Sequence, residues 1–362
     1  MSGLFVISVL TGLLTVGTAL PLLKCEAWWV RIFDFLRLQL IFLSAVLWAF
    51  EVAMLDRHGA TGISLLVVTT VCLAYHTWWI LPYTVLHPRE VRPAGAIDAS
   101  NSIGIMTANV LGTNRNSADL IQMVRANRPD ILVTLETNGW WQSQLNVLEN
   151  EYPHVIKCPQ ENLYGMHVYS KWPLIDGSID YLVDADRPSI HTLVALPSGS
   201  KIRCHFLHPS PPSPTGNDSS RDRDAELLIV AKSVAKGDLP VVVAGDLNDV
   251  AWSATTRLFR KISGLLDPRI GRGMFNTYHA GHWYLRWPLD HVFHSDHFRV
   301  AEIRRLKAFG SDHFPLFARL VCDRKTESNQ AGLPADQKAR EWADKKIRDA
   351  EASEADVPRP GA

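Results

Sequence analysis

LPVVVAGDLND, residues 239–249, is the stretch on which the reading of this chain turns. Three valines and an alanine make a short, β-branched apolar run of the kind that forms a buried strand. GDLND follows at its end, so Asp246 and Asn248 emerge together where the strand meets a loop. A carboxylate and an amide two residues apart can face the same way, toward a hydrated metal and a phosphate. Alone, a strand-ending Asp-x-Asn is equally a turn former, so its meaning depends on what other strands end beside it.

Outward from that run, the same pattern recurs. SIGIMTANV (102–110), ILVTLE (131–136), GMHVYS (165–170), IHTLVAL (190–196), KIRCHFLH (201–208), LDHVFH (289–294) and HFPLFARLVC (313–322) read as strands. Amphipathic helices are expected over 118–130, 222–236 and 254–263. The 190–208 stretch looks like a hairpin, which implies an α/β fold with mixed sheets rather than a purely parallel one. Asn109, Glu136, His208, Asp290, Asp312 and His313 all fall at strand termini. If the strands form one layered core, these residues join Asp246 and Asn248. Rich in oxygen and without thiolates or clustered imidazoles, the set suits Mg2+ or Mn2+ rather than Zn2+.

The order TANV … LET … GMHVYSKWPL … FLHPSPP … GDLND … PLDHVFHS … GSDHFPL resembles the endonuclease/exonuclease/phosphatase superfamily across about residues 102–322. The resemblance implies a DNase I-like four-layered α/β sandwich: two mixed sheets face to face with helices outside. It also implies Mg2+-dependent hydrolysis of phosphodiester or phosphoester bonds, by a nuclease or by a phospholipase C-like, sphingomyelinase-like or lipid/inositol phosphatase enzyme; a catalytically inactive binding or scaffold domain is the alternative of another class, against which the intact set of matched residues argues. By matched position Glu136 resembles the main metal ligand, with Asn109 and Asp312 as neighbouring metal residues. Asp246 resembles the residue that orients or deprotonates the attacking water, and Asn248 the one that holds a phosphate oxygen. His313 resembles a histidine paired with a carboxylate, here Asp290. His208 would stabilise the phosphorane or protonate the leaving oxygen. The base is Asp246 or His313.

Residues 1–86 are of a different character. Leu4–Leu23, Leu38–Leu55 and Gly62–Leu81 are apolar runs long enough to cross a bilayer as helices. Trp28, Trp29, Trp78, Trp79 and Tyr83 flank them as interfacial anchors. Three spans before a DNase I-like domain resemble a bacterial subgroup of the superfamily. The expected plan is a membrane anchor (1–86), a linker (87–101), the catalytic domain (102–322) and a charged, partly helical or disordered tail (323–362). Glu51, near the end of its run, is expected to snorkel toward the headgroups. Lys24, Arg31, Arg37, Arg89 and Arg92 fall on one side of three spans and only Arg57 on the other. That leans toward a catalytic domain facing the cytoplasm from the inner membrane. EAWWVRIFDFLRLQL, between the first two runs, has the pattern of an interfacial amphipathic segment.

Lys plus Arg and Asp plus Glu are both 37, so the formal charge is zero, which argues against holding long nucleic acid mainly through phosphates. Short or transient nucleic-acid contacts and a phospholipid headgroup remain as substrates, with the bilayer met through residues 4–81. No protein partner is inferable. Arg221, Arg223 and Arg286 are the arginines expected to bind substrate. The five cysteines are scattered singly, so no disulfide framework or zinc finger is expected.

Overall fold

The computed structural model describes residues 3–55, 59–95, 97–213, 217–323 and 330–361; Arg57, counted above for orientation, lies outside them. The chain begins with helices α1 (Gly3–Ala19), α2 (Trp28–Phe35), α3 (Arg37–Met54) and α4 (Ala60–Ile80). The spans Gly3–Leu23, Arg37–Met54 and Ala60–Tyr83 are long and apolar enough to cross a membrane. The outward turn toward the headgroups expected of Glu51 is not what the structure has. Glu51 is buried among the three helices, and its Oε1 accepts from Thr11 (2.8 Å) and Thr69 (2.9 Å). Hydroxyls that bond a carboxyl offset part of the cost of burying it among apolar helices, which favours this inward position.

The soluble part contains β1 (Ser102–Asn109), α5 (Ser117–Asn127), β2 (Ile131–Leu135), α6 (Gly139–Leu145), β3 (His154–Cys158), β4 (Met166–Ser170), β5 (Leu174–Asp180), β6 (Ser189–Ala195), β7 (Lys201–Leu207), α7 (Arg221–Val234), β8 (Val241–Asp246), α8 (Ala254–Ser263), β9 (Asp290–His294), β10 (Phe298–Arg305), β11 (Leu316–Cys322) and α9 (Gln337–Asp349). One sheet runs β10-β11-β1-β2-β4-β3 and the other β5-β6-β7-β8-β9. Both are mixed: β1 is parallel to β2 and antiparallel to β11, and β7 is parallel to β8 while β8 and β9 are antiparallel.

Side-chain alternation explains the layering. In β1, Ile103 and Ile105 face the core shared by the two sheets, while Met106 and Ala108 face outward beneath α5 and α6. In β8, Val242 and Ala244 join the same shared core, and Val241 and Val243 pack outward against α7, α8 and α9. Helix, sheet, sheet and helix thus make the four-layered α/β sandwich. Gly245 shows why the run before Asp246 must end in glycine. Its φ is 141°, and a Cβ there would lie 2.0 Å from the Leu207 carbonyl oxygen of the neighbouring strand.

Two segments differ from expectation. Residues 87–101 are no free linker: Val91 is fully buried in the inter-sheet core, Pro93 bridges Val300, and Glu90 pairs with Arg260. The apolar side chain of Val91, set among charged neighbours, has nowhere else to bury. The tail is helical over α9, but that helix is docked rather than solvated. Ala339, Ala343 and Ile347 pack into the α7–α8 layer, and Lys346, only 2 % exposed, reaches Asp224 (2.8 Å) and Glu26 (2.5 Å). Cys25, Cys72, Cys158 and Cys204 are free thiols.

Candidate active site

β1, β2, β7 and β8 end, and β9 begins, at one edge of the sandwich, so the chemistry-bearing residues collect there. Asn109 closes β1, Glu136 follows β2, His208 follows β7, Asp246 closes β8 and Asp290 opens β9. Asp312 and His313 lie in the loop three to four residues before β11 rather than within a strand, because the strand starts only after Pro315. Glu136 (φ 60°) and Asn248 (φ 51°) both occupy the left-handed region, a strain that persists where the surroundings over-determine a functional geometry.

Hydrogen bonds tie these residues into one network. The Asn109 amide donates to Glu136 Oε1 (2.9 Å) and to Asp246 Oδ2 (3.3 Å), and its oxygen accepts from the Leu111 N–H (3.1 Å). The Asn248 N–H donates to Asp246 Oδ1 (2.9 Å), and its side chain donates to the Pro209 carbonyl (2.9 Å). His313 Nδ1 lies 2.8 Å from Asp290 Oδ2 and its Nε2 lies 3.5 Å from Asp246 Oδ2. His208 Nε2 is 3.9 Å from the same Asp246 oxygen. Ser311 fixes the loop: its hydroxyl donates to the Asn109 carbonyl (2.7 Å) and accepts from the His313 N–H (3.0 Å).

Electrostatics separate the two histidines. Burial alone would lower the His313 pKa, but Asp246 and Asp290 on either side overcome it and hold it at about 10. His208 is dominated by burial, which lowers it to about 4 despite Asp246, so it is neutral at pH 7. Burial, with Asp312 and Asp246 nearby, pushes Glu136 up to about 7 even though the Asn109 amide bonds it. A carboxyl so destabilised as an anion is a natural cation ligand.

Two groupings could hold a divalent ion. Asp246, Asp290 and His313 offer atoms within 4.8 Å of one another. There, however, both His313 nitrogens already face carboxylates, so a protonated imidazole fills the place of a cation. The Glu136 side, with Asp312 and the Asn109 amide, is the better match, because among the described residues neither carboxylate has a cation at ion-pair distance and the protonated His313 acts on them only from farther away.

These residues line a cleft of about 560 Å3. Glu136, His208, Asp246, Asn248, Asp312 and His313 are on its walls, with Asn109 and Asp290 directly behind. The arginines expected to bind substrate are elsewhere. Arg223 is 2 % exposed and spent on Asp224 (2.8 Å) and the Asn248 carbonyl (2.7 Å). Arg221 is at the surface beside Asp222, and Arg286 lies over the Phe314 ring. Missed from sequence were Tyr164, Tyr278 and Trp287, along with Trp28, Arg31, Ile32 and Phe35 of α2. The signal for the last four was present in WWVRIFDF, where Arg31 and Asp34 interrupt an apolar helix. A separate cavity of about 410 Å3 between Trp78, Trp79, Arg89 and Arg257 holds none of the strand-end residues.

Residues 106–313, more than half of the chain, match the model of the endonuclease/exonuclease/phosphatase family. The chain belongs to the endonuclease/exonuclease/phosphatase family. Solved structures agree on the fold. A family protein from Beutenbergia cavernae is 19% identical over 62% of this chain and 72% of its own, with a TM-score of 0.50. The human Nocturnin catalytic domain, solved with a bound sulfate, is 16% identical over 62% of this chain and 96% of its own (TM-score 0.51). Caenorhabditis elegans TDP2 is 15% identical over 78% of this chain and 92% of its own (TM-score 0.51). No curated protein matches the chain significantly. Family membership makes the protein a hydrolase of phosphoester bonds, in a family that generally depends on divalent metal.

Proposed function

We propose that the protein is a membrane-anchored, Mg2+- or Mn2+-dependent hydrolase that cleaves a phosphodiester or phosphoester by in-line attack of water in the strand-end cleft. The observation that carries this is the convergence of Glu136, Asp246, Asn248, Asp312, His208 and His313 from both sheets on one cleft. Glu136, with Asp312 and Asn109, would hold the ion, which when bound neutralises and polarises the phosphate. Asp246 is the base. His313 is already protonated at neutral pH, so it cannot take the water's proton, whereas burial raises the pKa of the Asp246 carboxyl and makes it a better proton acceptor than an ordinary carboxylate. His313 then presents positive charge to the phosphate, and Asp290 holds its ring. Neutral His208 donates a hydrogen bond to the developing phosphorane rather than a proton. Asn248 holds a phosphate oxygen. The water oxygen bonds to phosphorus as the ester P–O bond breaks, Asp246 takes one proton, and the departing alkoxide takes another from solvent.

The test is turnover of bis(p-nitrophenyl) phosphate by the full-length protein in detergent, before and after divalent ions are removed. Activity should vanish in excess EDTA and return with Mg2+ or Mn2+; unchanged turnover in EDTA sinks the reading.

With three spans, the catalytic domain and the α1–α3 segment share one side of an inner membrane, here the cytoplasmic side. Of the charges behind that orientation, Arg31 and Arg37 are buried around Asp34 and count less than free loop charges. A C-terminal alkaline phosphatase fusion decides it: high phosphatase activity in intact cells puts the domain outside and overturns the assignment.

A further inference from the structure

We propose that the membrane anchor completes the active site, α2 supplying a phosphate ligand in Arg31 and an apolar wall, and that the substrate is therefore a lipid phosphoester taken from the bilayer surface. This rests on the phosphoesterase reading above and names the substrate class of the same cleft.

The seating of α2 is specific. The Trp28 N–H donates to the Asp218 carbonyl (3.0 Å), Ala27 bridges Ser219, and at the far end the Trp252 and Trp287 indoles donate to the Asp34 and Phe35 carbonyls (2.8 and 2.5 Å). Indole and backbone bonds at both ends hold the helix in register against the catalytic domain.

Arg31 lines the cleft, is 3 % exposed and touches Asp34 at only 3.4 Å. Its Nε and Nη2 have no hydrogen-bond partner among the described residues. Nearby carboxylates have closer cations: Arg37 meets Asp34 at 2.6 Å, and Lys346 and Arg223 meet Asp224 at 2.8 Å. A buried guanidinium with spare donors is costly unless an anion completes it, and a phosphate accepts its planar fork bidentately.

Trp28, Ile32 and Phe35 continue the same wall, and Leu163 of the catalytic domain lines the cleft while remaining 46% exposed. Apolar walls beside a phosphate-handling floor fit an amphiphile better than a solvated polyanion. The cleft also lies at the anchor's level. Gln39, in the first turn of α3, donates to the Tyr284 carbonyl (2.8 Å), and next to it Trp283 is 79% and Tyr284 56% exposed. Exposed indole and phenol rings at the end of a membrane span belong to the headgroup region. Balanced charge, 37 basic against 37 acidic residues, provides no excess of cations for a nucleic-acid backbone.

The experiment uses the full-length protein with Mg2+ and three probes. These are vesicles of phosphatidylethanolamine and phosphatidylglycerol, single-stranded DNA, and bis(p-nitrophenyl) phosphate, which has no chain. The expected result is hydrolysis of vesicle phospholipid faster than of DNA. Ile32→Ser should lower the ratio of vesicle to bis(p-nitrophenyl) phosphate turnover by about tenfold. Arg31→Gln should raise KM for vesicles by about tenfold, with the circular dichroism spectrum kept and Arg31→Lys intermediate. DNA cleaved faster than phospholipid, or bis(p-nitrophenyl) phosphate cleaved with vesicles untouched, overturns the lipid assignment and leaves the phosphoesterase reading standing. An Arg31→Gln protein with unchanged KM removes Arg31 from the site. Failure on all three probes defeats the phosphoesterase reading, and this inference with it.

Discussion

Single residues divide into those whose role follows from local pattern and those whose role depends on what the fold brings near. Asp246, Asn248 and the His313–Asp290 pair belong to the first kind, since each lies at a strand end or in the few residues beside one. The arginines belong to the second. Arg221, Arg223 and Arg286 look available in a polar sequence, yet Arg223 is consumed by Asp224 and none of the three lines the cleft. Arg31 reads in sequence as an orientation charge within an interfacial amphipathic segment, and only the docking of α2 makes it a cleft residue. Glu226 offers a test at this scale. Burial, with Asp184 adding to it, raises its pKa from 4.5 to about 8. Below pH 4.5 it is protonated folded and unfolded alike. As pH rises the unfolded chain ionises first, so stability is lost progressively until about pH 8. Glu226→Gln should therefore melt on the order of 5 °C above wild type at pH 8.5 and no higher than wild type at pH 5. Equal melting temperatures at both pH values would remove the buried-carboxyl account.

Among the elements, the strands legible in the sequence are mostly those buried on both faces. β1, β2, β4, β8 and β9 are buried along their whole length, around apolar centres such as IGIM, ILV and VVVA. β3, β5 and β10 lie at sheet edges, half exposed, with polar residues in HVIKC, LIDGSID and FRVAEIRR, so their pattern does not stand out from loops. β9 is an edge strand too, yet fully buried, because Leu266 bridges its His294 and Phe293 packs with Phe259 of α8. The charge density of 334–354 likewise hid the stripe of Ala339, Ala343 and Ile347 that docks α9. Lys346 locks that helix to α7 and to Glu26 beside α2. Lys346→Ala leaves Asp224 short of one of its cations, and should destabilise the protein by about 3 kcal/mol, read as a lower denaturation midpoint. A midpoint unmoved by the substitution would show that α9 is held by its apolar stripe alone.

For the whole molecule, the four layers and three apolar helices were readable because both follow from hydrophobic periodicity, which is local. How the anchor meets the catalytic domain was not, because Trp252 with Asp34, Trp287 with Phe35 and Ala27 with Ser219 pair residues about 190 or more positions apart. No spacing in a single sequence announces such pairs. They join the apolar helices and the sandwich through one cleft, whose proposed chemistry takes Asp246 as base beside a protonated His313. The most direct measurement is the turnover of bis(p-nitrophenyl) phosphate by full-length wild type and Asp246→Asn, side by side in saturating Mg2+ and with matching circular dichroism spectra. The account predicts a kcat lower by on the order of 100-fold in the variant, as loss of a positioned base requires. A variant turning over within a few-fold of wild type would contradict it.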